Sequence, residues 1–124
     1  MRALVIDDSK TTRSIIRQYM RELDFDVIEA GDGGEALKCL QQDPNVDIAL
    51  VDWHMPVMTG LEFVKQLRSR PEHNKIKLIM VTIENDATRI QEALAAGANE
   101  FVMKPFTFDV LEQKLALLLD GDVQ

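Results

Sequence analysis

The sequence predicts an α/β domain built on a buried parallel sheet, and three observations carry that expectation. The hydrophobic pattern alternates five times between a short apolar run and a stretch of helical spacing. The connections are only a few residues long, with no linker and no low-complexity tract. Several runs are continuously apolar, as in strands covered on both faces. Ala3-Leu4-Val5-Ile6 is the first, stopped by Asp7 and Asp8. From Ser9 to Leu23 the residues Ile15, Ile16, Tyr19, Met20 and Leu23 recur at helical spacing, with Arg13, Arg17 and Arg21 on the other face. Phe25 to Ala30 is a weaker, alternating strand. Asp32, with Glu35 three residues on, reads as the N-cap of a helix carrying Ala36, Leu37 and Leu40, and Asp43-Pro44-Asn45 ends it. Ile48 to Val51 is the third strand, ending in Asp52. Thr59 and Glu62 have capping-box spacing and open a helix bearing Leu61, Val64 and Leu67. After a loop at Arg70 to Asn74, Leu78 to Val81 forms strand four and closes on Thr82. Asp86 to Ala96 is helical with Ile90 and Leu94 one turn apart, and Gly97 is the expected C′ residue. Phe101 to Met103 makes strand five before Lys104-Pro105, and Thr107 to Leu119 is a final helix with Leu111, Leu115 and Leu118 inward. Helices on both faces of the sheet, in one domain over residues 1–124, are the expected result.

Composition narrows the function. With 124 residues the chain has the size of one ordinary domain. Its 14 Lys and Arg against 21 Asp and Glu give a net charge of −7, a surface that repels phosphate backbones, so direct nucleic-acid binding is not expected. The single Cys39 has no partner for an internal disulfide and belongs to no zinc constellation, which points to a reducing compartment. No apolar run approaches the ~20 residues of a membrane span. A cytoplasmic protein without membrane contact is the expectation.

The polar residues that follow the strands are the chemical signal. Strand one is followed by Asp7 and Asp8, strand three by Asp52, strand four by Thr82 and strand five by Lys104, while strand two adds nothing comparable. In open parallel sheets ligands bind beyond the carboxyl ends of the strands. Three carboxylates against one ammonium leave an excess of negative charge best relieved by a divalent cation, and all-oxygen ligation with retained waters suits Mg²⁺. A Lys point charge and a Thr hydroxyl are suitable partners for phosphoryl oxygens. A carboxylate beside the metal can attack phosphorus and become an acyl phosphate. Taken singly, each residue has a plainer role: Asp8 as a helix cap, Thr82 as a strand-end residue, Lys104 as a solvated loop residue. Their joint placement favours the chemical one.

As a set, Asp7-Asp8-Ser9, the run Asp52-Trp53-His54-Met55-Pro56 reaching Gly60, Thr82, Ala96-Gly97-Ala98 and Lys104-Pro105-Phe106 resemble the receiver domains of two-component response regulators. The likeness extends from Leu4 to Leu118 and is strongest to single-domain chemotaxis members. It implies a flavodoxin-like fold with strand order 2-1-3-4-5. It also implies roles. Asp52 would be the phosphoacceptor, served by a sensor histidine kinase such as a CheA-like one, or by a small acyl-phosphate donor. Asp8, Asp52 and the backbone carbonyl of His54 would ligate Mg²⁺, with Asp7 acting mainly through water. Thr82 and Lys104 would bind phosphoryl oxygens. Phe101 would be the aromatic that turns inward when Thr82 shifts, remodelling the helix 4–strand 5–helix 5 face for an output protein. The Lys104–Pro105 peptide would be cis. A monomer is expected, acting as a signalling switch that catalyses only its own phosphorylation and dephosphorylation. A phosphorelay intermediate and a receiver excised from a transcriptional regulator are alternatives within the family. A Mg²⁺-dependent phosphohydrolase with an aspartate nucleophile is the alternative class, although Asp7-Asp8-Ser9-Lys10-Thr11 lacks the DxDxT spacing of the haloacid-dehalogenase type.

Four positions depart from the commonest pattern. His54 replaces a frequent Asn, Phe101 a frequent Tyr, Asp24 a frequent Gly at the end of helix one, and Ile83 the small residue usual after the Thr. Ile83 follows Thr82 with its side chain on the opposite side of the strand, so it would border the approach to the site as a stiff gate, or else pack simply as core. Trp53 is expected to be partly exposed beside Asp52. The arginines at 13, 17 and 21 read as a solvated face or as a kinase-docking stripe.

Overall fold

Continuous apolar runs need cover on both faces, and the chain supplies it from five helices. The structure is a computed structural model that describes residues 1–83 and 87–120. In chain order it has β1 (Arg2–Ile6), α1 (Lys10–Glu22), β2 (Asp26–Ala30), α2 (Gly33–Gln42), β3 (Ile48–Asp52), α3 (Gly60–Arg68), a 3₁₀ turn (Pro71–His73), β4 (Lys77–Thr82), α4 (Ala87–Ala96), β5 (Glu100–Met103) and α5 (Phe108–Asp120). All pairings are parallel, and the strand order is β2-β1-β3-β4-β5. The order and the elements agree with the sequence reading. Asp86, expected to open α4, and residues 121–124 lie outside the described residues.

Strand parity divides the core in two. Leu4, Ile6, Ala49, Val51, Leu78 and Met80 face the side covered by α2, α3 and α4. Val5, Leu50, Ile79, Val81 and Val102 face α1 and α5, against Ile16, Met20, Leu111 and Leu115. In α4 the buried residue is Ala93, while Leu94 is largely exposed.

Local signals set most helix ends. Ser9 rather than Asp8 caps α1, its Oγ accepting the Thr12 N–H at 3.2 Å. Asp32 caps α2 by accepting the Glu35 N–H at 2.8 Å, but the Glu35 carboxylate reaches Gly31 instead of closing a box. At α3 the box is complete, with Thr59 and Glu62 exchanging bonds of 3.1 and 3.2 Å. Asp24 takes φ +67 after α1, a conformation Asp accepts more readily than most residues.

One residue ties the far side of the domain together. The Arg68 guanidinium ends α3 and donates to the carbonyl of Gly97 at 3.0 Å, of Ile76 at 2.7 Å and of His73 at 3.1 Å, and to Asn99 Oδ1 at 3.1 Å. It therefore joins the C-terminal end of α4 to the starts of β4 and β5. Burial pushes its ionisation down from the ordinary value. Gly97 is required here twice over: its φ is +124, and a Cβ would lie 2.6 Å from Arg68 Cγ. Arg68→Met keeps the stem but strands the acceptors, and removing the cost of burying the guanidinium offsets only part of that loss. We expect Arg68→Met to lower the unfolding free energy by about 2–3 kcal/mol in urea titrations, with an unaltered m-value.

Candidate functional site

Sheet register brings the polar residues to one edge. Ile6 pairs with Val51 and Asp52 with Val81, so Asp7 and Asp52 stand level at the carboxyl ends of adjacent strands. Thr82 pairs with Met103, which sets Lys104 one step beyond it, and the Lys104 N–H donates to the Thr82 carbonyl at 2.7 Å. Asp7, Asp52 and Lys104 share the parity of the α1/α5 face, whereas Thr82 has the parity of the α4 face.

The carboxylates of Asp7, Asp8 and Asp52 each offer an oxygen within 4.8 Å of the others. Asp7 is 1% and Asp52 6% exposed, while Asp8 is exposed. Lys104 Nζ lies 2.9 Å from Asp7 Oδ2 and 3.4 Å from Asp52 Oδ1. Asp7 Oδ1 accepts the Ser9 N–H at 2.8 Å, which fixes its carboxylate from the other side. Gly60 lets α3 start against the backbone beneath the site, since a Cβ there would meet the Asp52 carbonyl oxygen at 2.6 Å. Burial and then the charge of Asp7 push the Asp52 carboxyl above its ordinary value; Lys104 and the His54 N–H pull against them. This donor set fits a hard divalent cation: among the described residues three carboxylates face a single ammonium, and one of the three is exposed to water.

The remaining expected residues surround this pocket. Thr82 is buried and, with Trp53, Met80, Ile90, Ala93 and Phe101, lines a void of about 10 Å³ beneath α4. Phe101 is half-buried against the α4-side core, with Lys114 Nζ of α5 4.9 Å from its ring centre. The same ammonium pairs with Glu100 Oε1 at 3.2 Å, and that oxygen also accepts the Phe101 N–H at 3.0 Å. His54 is exposed, and its N–H approaches Asp52 Oδ1 at 3.4 Å. Ile83 is 67% exposed, which removes its core alternative, and it borders an open groove of about 440 Å³ shared with Ile15, Tyr19, Lys104 and Phe106. The Lys104–Pro105 peptide is cis. Val57, in the loop after β3, takes φ +72 with its side chain 89% exposed, so about 1–2 kcal/mol of backbone cost has no packing to offset it.

Two expectations are corrected. Trp53 is buried rather than partly exposed, because the loop turns it under α4, where Arg89 Cζ lies 6.0 Å from its ring centre. Strand two does contribute to the site, at one remove: Glu29 on β2 anchors Arg13, whose guanidinium bonds the Asp7 carbonyl. Arg13 thus turns toward the sheet edge instead of joining a solvated stripe. No local signal marks it, since helical spacing assigns a face without showing which long side chain reaches across it. The Glu100–Lys114 pair was missed for the same reason.

Residues 3–116 match the response regulator receiver domain. The chain is 41% identical to the chemotaxis protein CheY1 of Helicobacter pylori over 120 residues, 96% of this chain and 97% of that protein. It is 42% identical to the CheY homolog of Campylobacter jejuni over 116 residues, covering 93% and 89% of the two chains. Among solved structures, Vibrio cholerae CheY4 superposes with a TM-score of 0.89 at 34% identity, over 95% of this chain and 98% of that one. A probable response regulator/GGDEF domain protein superposes with a TM-score of 0.93 at 31% identity, over all of this chain and 51% of that one.

The electrostatics give a stability test. A carboxyl raised on folding stabilises the fold fully below its unfolded value and loses that contribution as pH rises through the raised folded value. At neutral pH without divalent cation, Asp52 is therefore a net cost. Asp52→Asn should melt higher than the parent at pH 7, and the gap should begin to close as pH falls through the raised folded value and vanish below the ordinary carboxylate value. A pH series of melting temperatures checks both the sign and the window.

Proposed function

The chain belongs to the response regulator receiver family, and from that premise we propose that Asp52 is its phosphoacceptor in a two-component chemotaxis pathway. The observation that carries this is Lys104 bridging Asp7 and Asp52 beside an exposed Asp8, a pocket with surplus negative charge at the sheet edge. Full-length similarity to chemotaxis proteins supports the pathway.

Asp7, Asp8, Asp52 and the His54 carbonyl would hold Mg²⁺, which supplies neutralising charge between the nucleophile and an incoming phosphoryl group. Asp52 attacks phosphorus in line; a P–O bond forms as the donor's P–N or P–O bond breaks, and the donor leaves with the electron pair. Lys104 then neutralises a phosphoryl oxygen, and the Thr82 hydroxyl donates to another. Because Thr82 has the parity of the α4 face, its movement acts on the void it shares with Phe101, and the α4–β5–α5 face is remodelled for an output protein. Water attacking the same phosphorus, with Asp52 leaving as a carboxylate, resets the switch. The histidine kinase and the output protein are the partners of this cycle, and the chain turns over no external substrate as its purpose.

Treatment with a small acyl-phosphate donor and Mg²⁺ should add one hydroxylamine-labile phosphoryl group, read by intact mass, and Asp52→Asn should abolish it. Stable labelling that survives the substitution overturns the assignment.

Ile83 acts as a gate in this reading. Its stiff, exposed side chain shares the groove that leads to Lys104, and in-line attack tolerates little displacement. Ile83→Ala should accelerate both phosphorylation by the small donor and loss of the acyl phosphate, by up to ~100-fold. Unchanged rate constants in the folded variant reject the gate.

A further inference from the structure

One cation beside the acidic pocket takes no part in the chemistry above. Arg13 stands on the first turn of α1, its side chain only 19% exposed. Nη1 donates at 2.7 Å to the Asp7 carbonyl, the oxygen of the peptide between two of the three carboxylates. Nε donates at 3.2 Å to Glu29 Oε1, and Arg17 Nη1 holds the other oxygen of that carboxylate at 2.9 Å. The Asp7 N–H donates in turn to the Ala30 carbonyl at 3.1 Å. Both polar groups of the Asp7 backbone are thus fixed by β2, one directly and one through Arg13.

A guanidinium in this place has two opposing effects on a divalent cation. Its charge repels the ion, while its bond sets the plane of the Asp7–Asp8 peptide. Glu29 pairs with the charge and so weakens the first effect. The second is strong for a specific reason: Asp8 is exposed, so its direction is governed by the backbone that carries it. We propose that Arg13 is a positioning residue for the acidic pocket, holding the Asp7–Asp8 peptide so that both carboxylates converge, with Glu29 as its anchor on β2. This rests on the reading of Asp7, Asp8 and Asp52 as a cation site.

Mg²⁺ titrations of the whole chain, by calorimetry and by the fluorescence of Trp53, test it, with the melting temperature of each Mg²⁺-free variant measured alongside. Arg13→Met keeps the stem, removes both bonds and should weaken Mg²⁺ binding by ~10–100-fold, the range found for outer partners of metal ligands. Arg13→Lys keeps the charge but cannot span Asp7 and Glu29 as a fork, and should fall between. Glu29→Gln leaves Arg13 in place on a weaker anchor and should also bind Mg²⁺ less tightly. If Arg13 is only a nearby positive charge, Arg13→Met binds Mg²⁺ more tightly and the difference fades in high salt. Tighter or unchanged binding in folded Arg13→Met overturns the proposal; should that variant not fold, unchanged binding in Glu29→Gln does so. Asp8→Asn separates the two levels. If the parent binds no Mg²⁺, or binds it independently of Asp8, the cation site itself fails and Arg13's role falls with it. Binding that needs Asp8 but not Arg13 removes only the positioning role.

Discussion

The working edge of the sheet depends on one ammonium held between two buried carboxylates. Asp7 and Asp52 come within 4.8 Å of each other in a place from which water is largely excluded. At an effective dielectric of about 20, two unit charges that close repel by about 3 kcal/mol, a large share of a small domain's stability. Lys104, at 2.9 and 3.4 Å, offsets that repulsion without abolishing it, and burial first, with the Asp7 charge second, keeps the Asp52 carboxyl above its ordinary value. The remainder is what makes the pocket receptive to a cation.

In the proposed cycle, parity separates the place where charge would change from the place where shape would change. Asp7, Asp52 and Lys104 look toward α1 and α5, but Thr82, on the next strand over from Asp52, looks toward α4. A hydroxyl at a strand end can reach the rim on one side and the α4-side void on the other. The Phe101 ring across that void is held in turn by Lys114 reaching from α5 around the edge strand. The sheet is the partition, and in the proposed switch Thr82 is the residue that would act across it.

Much of this was legible because the signals are local. An apolar run followed by an acid, a hydroxyl or an ammonium marks a strand end and a candidate ligand in the same few letters, and parallel pairing does the rest. Thr59 with Glu62 and Gly97 are likewise readable, since caps obey short spacing rules. What could not be read depends on neighbours far apart in sequence. Trp53 looked like a rim residue from its place beside Asp52, yet its burial is decided by α4, more than thirty residues later. Ser9 rather than Asp8 caps α1, and its own N–H goes to Asp7, two bonds that leave the Asp8 carboxylate out of the cap. Arg13 and Glu29 meet only once β1 and β2 are paired.

The Arg68 knot has a mechanical consequence. It fastens the last turn of α4, through Gly97, to the ends of α3, β4 and β5, while the first turns of the same helix carry Arg89 and Ile90 onto the void beside Thr82. A helix clamped at one end is a lever with a fixed fulcrum. Ten residues give an arm of ~15 Å, so a tilt of about 10° moves the far end by roughly 2.6 Å and the clamped end hardly at all. In the proposed switch, a shift of one hydroxyl at the sheet edge would become a displacement of side-chain size at the surface, its direction set by where the fulcrum lies.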